Sequence, residues 1–394
     1  MFFRTQKYRL SPTPEQAEKL GQFAGTVRFV YNLALEQRRD FWRQFQQNTG
    51  STLNYVSQGR QLTELRSEVD WIGDCCSRAL HGALQDLDRA FSAFYKGGGF
   101  PKFRKAGLND GFEVKADVAK LRRLNAKWSA TRVPKIGWIK FRDTRPIDGE
   151  LRSIRIVCQQ GKWYACIGVR SEHEAPASNL PAVGIDRGVT LALAQSDGKC
   201  VTAPNELRAL DRRARKAQRV LSQRRRGSNR YAKQRRVTNN IKAKAARIRR
   251  DWQHKATTDI ARQFGVVIIE DLKTKNMTAR AHDKGAAQKR GLNRSILNIG
   301  WYAIEEMLAY KLEERGGALI KINPAYTSQT CSACGTIDKR SRESQARFVC
   351  QHCGHAENAD INAAKNILRQ GLPGVDGRGY APDEARTTQP RLAA

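Results

Sequence analysis

Residues 331–368 read CSACGTIDKRSRESQARFVCQHCGHAENADINAAKNIL, and the order of the chain follows from them. Cys331-x-x-Cys334 and Cys350-x-x-Cys353 stand apart by a spacer of zinc-ribbon length. A glycine follows each pair, Gly335 and Gly354, and lets the backbone turn beneath a metal. A redox dithiol needs one such pair, so two pairs predict a single structural Zn2+. His352 and His355 lie close by, but four thiolates already complete a tetrahedral shell, which leaves the histidines to solvent or to the surroundings of the site. A metal knuckle alone does not need what comes next. Asp360 opens a short apolar helix, DINAAKNIL. An acid there suits the helix dipole, yet it also poses the question of what the helix delivers.

Upstream, two more acids sit at the ends of apolar runs. VVIIEDL (266–272) opens with four β-branched residues, the pattern of a strand buried on both faces, and carries Glu270 to its C-terminal end. AVGIDRGVTLALAQSDGKCVT (182–202) reads as a strand delivering Asp186, a turn at Gly188, a second strand, and a turn at Asp197-Gly198. Strand alternation points Asp271 away from Glu270. ILNIGWYAIEEMLAYKLEERGG (296–317) reads as a helix and ALIKI (318–322) as another central strand. A meander, helix, strand and terminal helix in this order match the ribonuclease H plan. In that plan three carboxylates meet around two divalent ions, and carboxylates suit Mg2+.

Between Asp186 and Glu270 lies a long basic helical pair broken at Gly227-Ser228-Asn229. Leu207, Leu210, Ala214, Ala217 and Leu221 mark the apolar stripe of the first helix; Val237, Ile241, Ala245, Ile248, Trp252 and Ile260 mark the second. The remaining face is almost single-signed and includes Arg224, Arg225 and Arg226. Such a face needs a polyanion as counter-charge.

The N-terminal part reads differently. A short strand (2–10) precedes a helix capped by Thr13 with Pro14 in its first turn. Further helices end at Gly97-Gly98-Gly99. FPKFRK (100–105) interleaves aromatic and basic residues, a pattern suited equally to stacking bases and to an inward-packed loop; Lys102 and Arg104 are its candidate contacts. Residues 111–169 alternate as strands, with a hairpin turn at Gln160-Gly161. This predicts a small β-barrel with a helical block either inserted into it or preceding it. SEHEAPASNLP (171–181) is linker-like.

Lys and Arg number 71 against 38 Asp and Glu, a net charge of +33 spread along all 394 residues. That distribution favours an extended nucleic-acid footprint over the short basic cluster of a membrane-surface protein. No apolar run approaches the roughly 18 residues of a membrane span. The start of the chain lacks a signal-peptide pattern. The five other cysteines are scattered, as in a reducing compartment. These features predict a cytoplasmic, nucleoid-associated prokaryotic protein.

GIDRG, IIEDL, NPAYTSQTCSACG and CGHAENADINAAKNIL occur in this order, together with YRLSPTPEQ, VYNLALEQ, AFSAFYKGGGFPKFRK and VPKIGWIKFR. In these the chain resembles the TnpB family of transposon-encoded RNA-guided nucleases, relatives of the type V CRISPR effectors. The resemblance runs from the N-terminus to about Leu368. It implies a multi-domain α+β fold: a wedge β-barrel with a helical recognition insert (1–180), a RuvC-type, ribonuclease H-like nuclease domain (181–330), a zinc ribbon (331–354), a last RuvC helix (355–372) and a disordered tail (373–394). It implies a transposon-derived guide RNA, one protein copy per RNA, and cleavage of double-stranded target DNA beside a short motif read by the protein. The family's catalytic, Mg2+-binding acids fall on Asp186, Glu270 and Asp360, and its zinc ligands on Cys331, Cys334, Cys350 and Cys353. Tyr55, Arg78, His81 and Gln85 are candidates for reading the motif. Arg187 stands where an apolar or small residue is expected; it is placed to pair with Asp186 or to meet a phosphate. The polar stretch 273–293 is expected to be mobile, a lid over the acids. Two rival functions share these residues: an RNA-guided repressor that does not cut, and a transposase.

Overall fold

A computed structural model describes residues 2–46, 53–107, 110–172, 175–279 and 285–372. The expected tail lies outside them. The chain divides into two compact units, Met1–His173 and Glu174–Ala394.

In the first unit, β1 (Phe2–Ser11) leads to α1 (Pro14–Phe41), α2 (Tyr55–Glu68) and α3 (Ser77–Tyr95). Thr13 and Gln16 form a reciprocal capping box at the start of α1. Six strands follow: β2 (Gly111–Lys115), β3 (Lys120–Arg123), β4 (Trp128–Val133), β5 (Gly137–Arg142), β6 (Glu150–Gln159) and β7 (Lys162–Ser171). The strand order is β2-β6-β7-β1-β5-β4-β3. Because β1 pairs with both β7 and β5, the three helices are an insertion between strands of one sheet system. Gln160 (φ 54°) and Gly161 (φ 71°) form the tight β6–β7 turn.

The expected barrel is not closed. Among the described residues β2 pairs only with β6 and β3 only with β4, so both remain edges. Helices cover the β2 edge instead of a strand: α1 and α3 pack against it, with the Phe23 and Phe112 rings 5.8 Å apart. The β3 edge is short, and Lys120, Arg122 and Arg123 are exposed on it. Both are ordinary ways to blunt an edge without closure. Tyr8, Leu20, Leu80, Leu84, Phe112, Phe141, Ile154 and Ile167 share one continuous core.

The second unit is built on the sheet β10-β9-β8-β11-β12. Its strands are β8 (Ala182–Asp186), β9 (Leu193–Gln195), β10 (Cys200–Val201), β11 (Val266–Glu270) and β12 (Ala318–Ile322). β8 and β12 flank β11 in parallel, and β9 turns back against β8. The basic pair is α4 (Asn205–Ser222) and α5 (Asn229–Gln263), the latter capped by Ser228. Val267 and Ile269 face a core that includes Ile260, Phe264, Ile304 and Leu308. Val266 and Ile268 face the other way, onto Ile367. That two-sided burial is what the unbroken apolar run of β11 requires.

The helix expected over 296–317 is two helices, α6 (Ala286–Ile299) and α7 (Trp301–Glu313). Gly300 adopts φ 76° between them, and Gln253 Nε2 donates to the freed Ile299 carbonyl at 2.6 Å. The start of α6 also replaces part of the stretch expected to be mobile. Its polar residues hid the helix, which buries only Ile296 and Ile299 among its described residues and is tied through Asn293 to Thr278 O. Residues 280–284 lie outside the described residues. A small hairpin, β13 (Arg347–Val349) and β14 (Ala356–Asn358), runs directly into α8 (Ala359–Gly371). α8 lies so close to β8 that a Cβ on Gly184 would stand 2.2 Å from the Ala364 carbonyl oxygen.

Candidate active site and metal centre

Asp186 is the last residue of β8 and Glu270 the last of β11. The two strands run parallel with Ile185 opposite Ile269, so both acids leave the sheet at the same carboxyl edge. Asp360 occupies the first turn of α8, the helix packed on β8. The loop after β8 passes beneath it: a Cβ on Gly188 would lie 3.9 Å from Asp360 Oδ2.

Asp186 feels the other two carboxyls. Burial pushes the Asp186 carboxyl up to about 7, and the charges of Glu270 and Asp360 push in the same direction. Burial also raises Glu270, against a hydrogen bond from Thr327. It raises Asp360 too, against Arg342. Burial thus raises all three carboxyls. Asp271, by contrast, is half-exposed and paired with Lys273.

Several residues that the sequence did not single out brace the acids. Thr327 Oγ1 donates to Glu270 Oε1 at 2.6 Å. Arg342 Nη2 lies 3.3 Å from Asp360 Oδ1. Thr327 sits inside the NPAYTSQT motif, but Arg342 lies in a polar spacer where nothing marks it. Arg187 does neither of the things expected of it. Its side chain is only 1% exposed, pairs with Glu305 at 3.0 Å, and donates to the main-chain carbonyl of Glu270. A buried guanidinium with those partners is not free to meet a phosphate.

The four cysteine sulfurs all lie within 4.8 Å of one another. Cys331 and Cys353 Sγ are 3.7 Å apart, as are Cys334 and Cys350. A Zn–S bond of about 2.3 Å gives a tetrahedral edge of about 3.8 Å, so the spacing and the soft donor set both fit Zn2+. Gly335 (φ 79°) and Gly354 (φ 73°) close the two knuckles by donating to the Cys331 and Cys350 carbonyls. His355 instead contacts Ser332 and Glu357 at 3.4 and 3.5 Å.

This metal element is tied to the helix that carries Asp360. Asn362 is fully buried; its Oδ1 accepts from Ser332 N and its Nδ2 donates to Thr330 O, both at 2.8 Å. Asn366, also buried, donates to Thr327 O at 3.0 Å. The ribbon therefore fixes α8 and the Thr327 loop together, next to Glu270.

In the first unit, Tyr55, His81 and Gln85 form one cluster. Tyr55 Oη lies 3.4 Å from His81 Nδ1 and accepts from Gln85 Nε2 at 3.3 Å. Burial and the charges of Arg66 and Arg78 hold the imidazole below its usual range. Arg78 is paired with Asp117 at 2.6 Å. Arg104 is engaged inside the unit, 2.6 Å from Asp86 and stacked 3.9 Å over Tyr31. In FPKFRK, Phe100 sets its ring edge-on to Phe91 and Phe94 but stays exposed, as are Lys102 and Phe103. In the second unit, Arg224, Arg225 and Arg226 are exposed on the turn between α4 and α5.

No helix among the described residues is long and apolar enough to cross a membrane. Residues 301–367 match the family described as "Cas12f1-like, TNB domain". Residues 165–281 match "Probable transposase", and residues 1–47 "Helix-turn-helix domain". The "Putative RNA-guided DNA endonuclease InsQ" of Escherichia coli K12 is 36% identical over 378 residues, 93% of this chain and 91% of that protein. A Streptomyces pristinaespiralis protein designated as an RNA-guided DNA endonuclease in the same way is 29% identical over 94% of this chain and 89% of its own length. The CRISPR-associated endodeoxyribonuclease Cas12f1 of Sulfoacidibacillus thermotolerans is 46% identical over 84 residues, 21% of this chain and 19% of that protein. A solved Cas12f1–sgRNA–target DNA complex shares the fold at 14% identity, with a TM-score of 0.53 over 93% of this chain and 98% of that one. Identity at this level to full-length relatives, joined to the arrangement of strands, ribbon and terminal helix, places the chain in the TnpB family.

Proposed function

We propose that this protein is an RNA-guided DNA endonuclease that hydrolyses phosphodiester bonds with Asp186, Glu270 and Asp360. The observation that supports the reading is the placement of these acids: two end neighbouring parallel strands at one carboxyl edge, and the third lies on the helix packed against them. Their hard oxygen donors fit Mg2+. Two Mg2+ ions, when bound there, supply the Lewis acidity that activates a water and stabilises the leaving oxygen.

The chain's own residues do the rest. Asp186 and Glu270 present their carboxylates from a rigid sheet edge. Thr327 holds one Glu270 oxygen. Arg342 holds Asp360 while it has no other counter-charge. The ribbon positions the Asp360 helix and takes no part in the cut. The positive charge of +33 is the electrostatic basis for a guide RNA and a double-stranded DNA target, with one protein copy per RNA. One active site implies that the two strands are cut in turn. Residues 1–180 would serve as the wedge and recognition domain, 181–330 and 355–372 as the nuclease domain, and 331–354 as the ribbon.

The test is cleavage of a guide-matched duplex by protein purified with co-expressed guide RNA. Cutting is expected with Mg2+, none with EDTA, and none with Asp186→Ala. Binding without cutting by the wild type would favour a repressor. Joined rather than hydrolysed ends would favour a transposase, the description attached to residues 165–281. Native-rate cleavage by Asp186→Ala would overturn the site.

A further inference from the structure

We propose that the buried Arg187–Glu305 pair is a positioning device for Glu270, standing in for a strand hydrogen bond that the sheet gives up at its catalytic edge. The inference rests on the reading of Glu270 as a metal ligand.

On one side, β11 stays paired to its end: Glu270 lies opposite Ile322 of β12, and Asp271 N donates to Ile322 O at 2.8 Å. On the other side the ladder stops early. Pairing with β8 ends at Ile185–Ile269, one residue before the acids. The Glu270 carbonyl, which also accepts from Leu272 N at 3.0 Å, is met on that side by Arg187 Nη2. The same guanidinium reaches Glu305 Oε2 on α7 with Nη1, at 3.0 Å. Glu305 Oε1 takes Lys321 of β12. Trp301, also on α7, donates its indole N–H to Gly188 O at 3.3 Å. Helix α7 therefore grips the turn after Asp186 and, through Arg187, the main chain of Glu270.

Stability does not explain this arrangement. The Arg187 and Glu305 side chains are 1% and 10% exposed, and Arg187 Nε is buried without a hydrogen-bond partner. Burying two charges in this way gains little over apolar side chains of the same volume. What apolar side chains cannot do is donate to the Glu270 carbonyl while tied to α7. The forked guanidinium can, because its N–H groups point to two partners in one plane.

The experiment compares wild type with Arg187→Met/Glu305→Met and with Arg187→Lys. The Met pair removes both charges and keeps volume; the Lys keeps the charge and loses the fork. Two readouts are taken: the Mg2+ concentration for half-maximal cleavage of the guide-matched duplex, and the Mg2+-dependent rise in melting temperature, which needs no cleavage. Both variants are expected to melt in EDTA within a few degrees of wild type. Both should need about tenfold more Mg2+ in either assay, the size of effect typical when a ligand's supporting partner is lost. Unchanged Mg2+ dependence in either folded variant overturns the proposal. Should the Met pair fail to fold, Arg187→Lys decides alone on the same criterion. A wild type that is stabilised by Mg2+ but cuts nothing would sink the nuclease reading and leave the positioning role standing or falling on the melting data.

Discussion

Asp186 carries the clearest consequence of the site's electrostatics. Its carboxyl titrates near 3.8 when unperturbed and about 7 in the fold. Between those values the folded state binds a proton that the unfolded state has lost, so stability falls as pH rises through this window. The full penalty, an upper figure of about 4 kcal/mol, is present above pH 7 and absent below pH 4. Asp186→Asn removes it. In EDTA the variant should melt higher than wild type at pH 8, by several degrees, and the two should converge towards pH 4; equal melting curves at pH 8 would contradict the buried, mutually repelling geometry. If Asp186 holds Mg2+ as proposed, adding Mg2+ should reverse the order, because the ion favours the ionised form and Asn cannot replace that charge. The acids were legible in the sequence because each ends an apolar run or opens an apolar helix. Their braces were not. Arg342 and Arg187 are arginines among 71 basic residues, and only three-dimensional packing distinguishes a buried fork from a solvated one.

At the scale of elements, the zinc ribbon and α8 behave as one part. Asn362 is their joint, and replacing it with Ala leaves the part-buried Ser332 N–H without this partner. A cost of about 1–3 kcal/mol is expected for that orphaned donor. Asn362→Ala should retain zinc, melt lower and cut more slowly, whereas Cys350→Ser should lose zinc, stability and activity together. Zinc content by atomic absorption, set beside melting and cleavage, checks both; full activity after zinc loss would mean that the ribbon does not hold Asp360. The ribbon could be read from spacing because its chemistry is local. The open edges of the N-terminal sheet could not, since alternation marks a strand's faces and says nothing of what covers its edge. The break at Gly300 was equally hidden: one glycine within an apolar helical period does not announce φ 76°, and its enabling partner, Gln253, is 47 residues away.

For the whole molecule, the net charge of +33 sets how it meets a polyanion. Few acids offset the bases along the α4–α5 hairpin, and its exposed turn concentrates three arginines, Arg224, Arg225 and Arg226. Each guanidinium that neutralises a phosphate releases counterions, so affinity falls as a power of salt concentration. If the turn lies on nucleic acid, Arg224→Ala/Arg225→Ala/Arg226→Ala should weaken guide-RNA binding uniformly across sequences. It should also lower the slope of log affinity against log salt by about 2 to 3. Filter binding between 50 and 300 mM NaCl gives both numbers. A charge acting only through the long-range field would weaken binding with little change of slope, because distant charges are screened over about 10 Å at 0.1 M salt. An unchanged slope therefore moves the nucleic-acid path away from this turn, while a lowered slope fixes it there. In the second case the hairpin acts as the electrostatic rail that brings a polyanion to a fold whose own carboxylates would otherwise repel it.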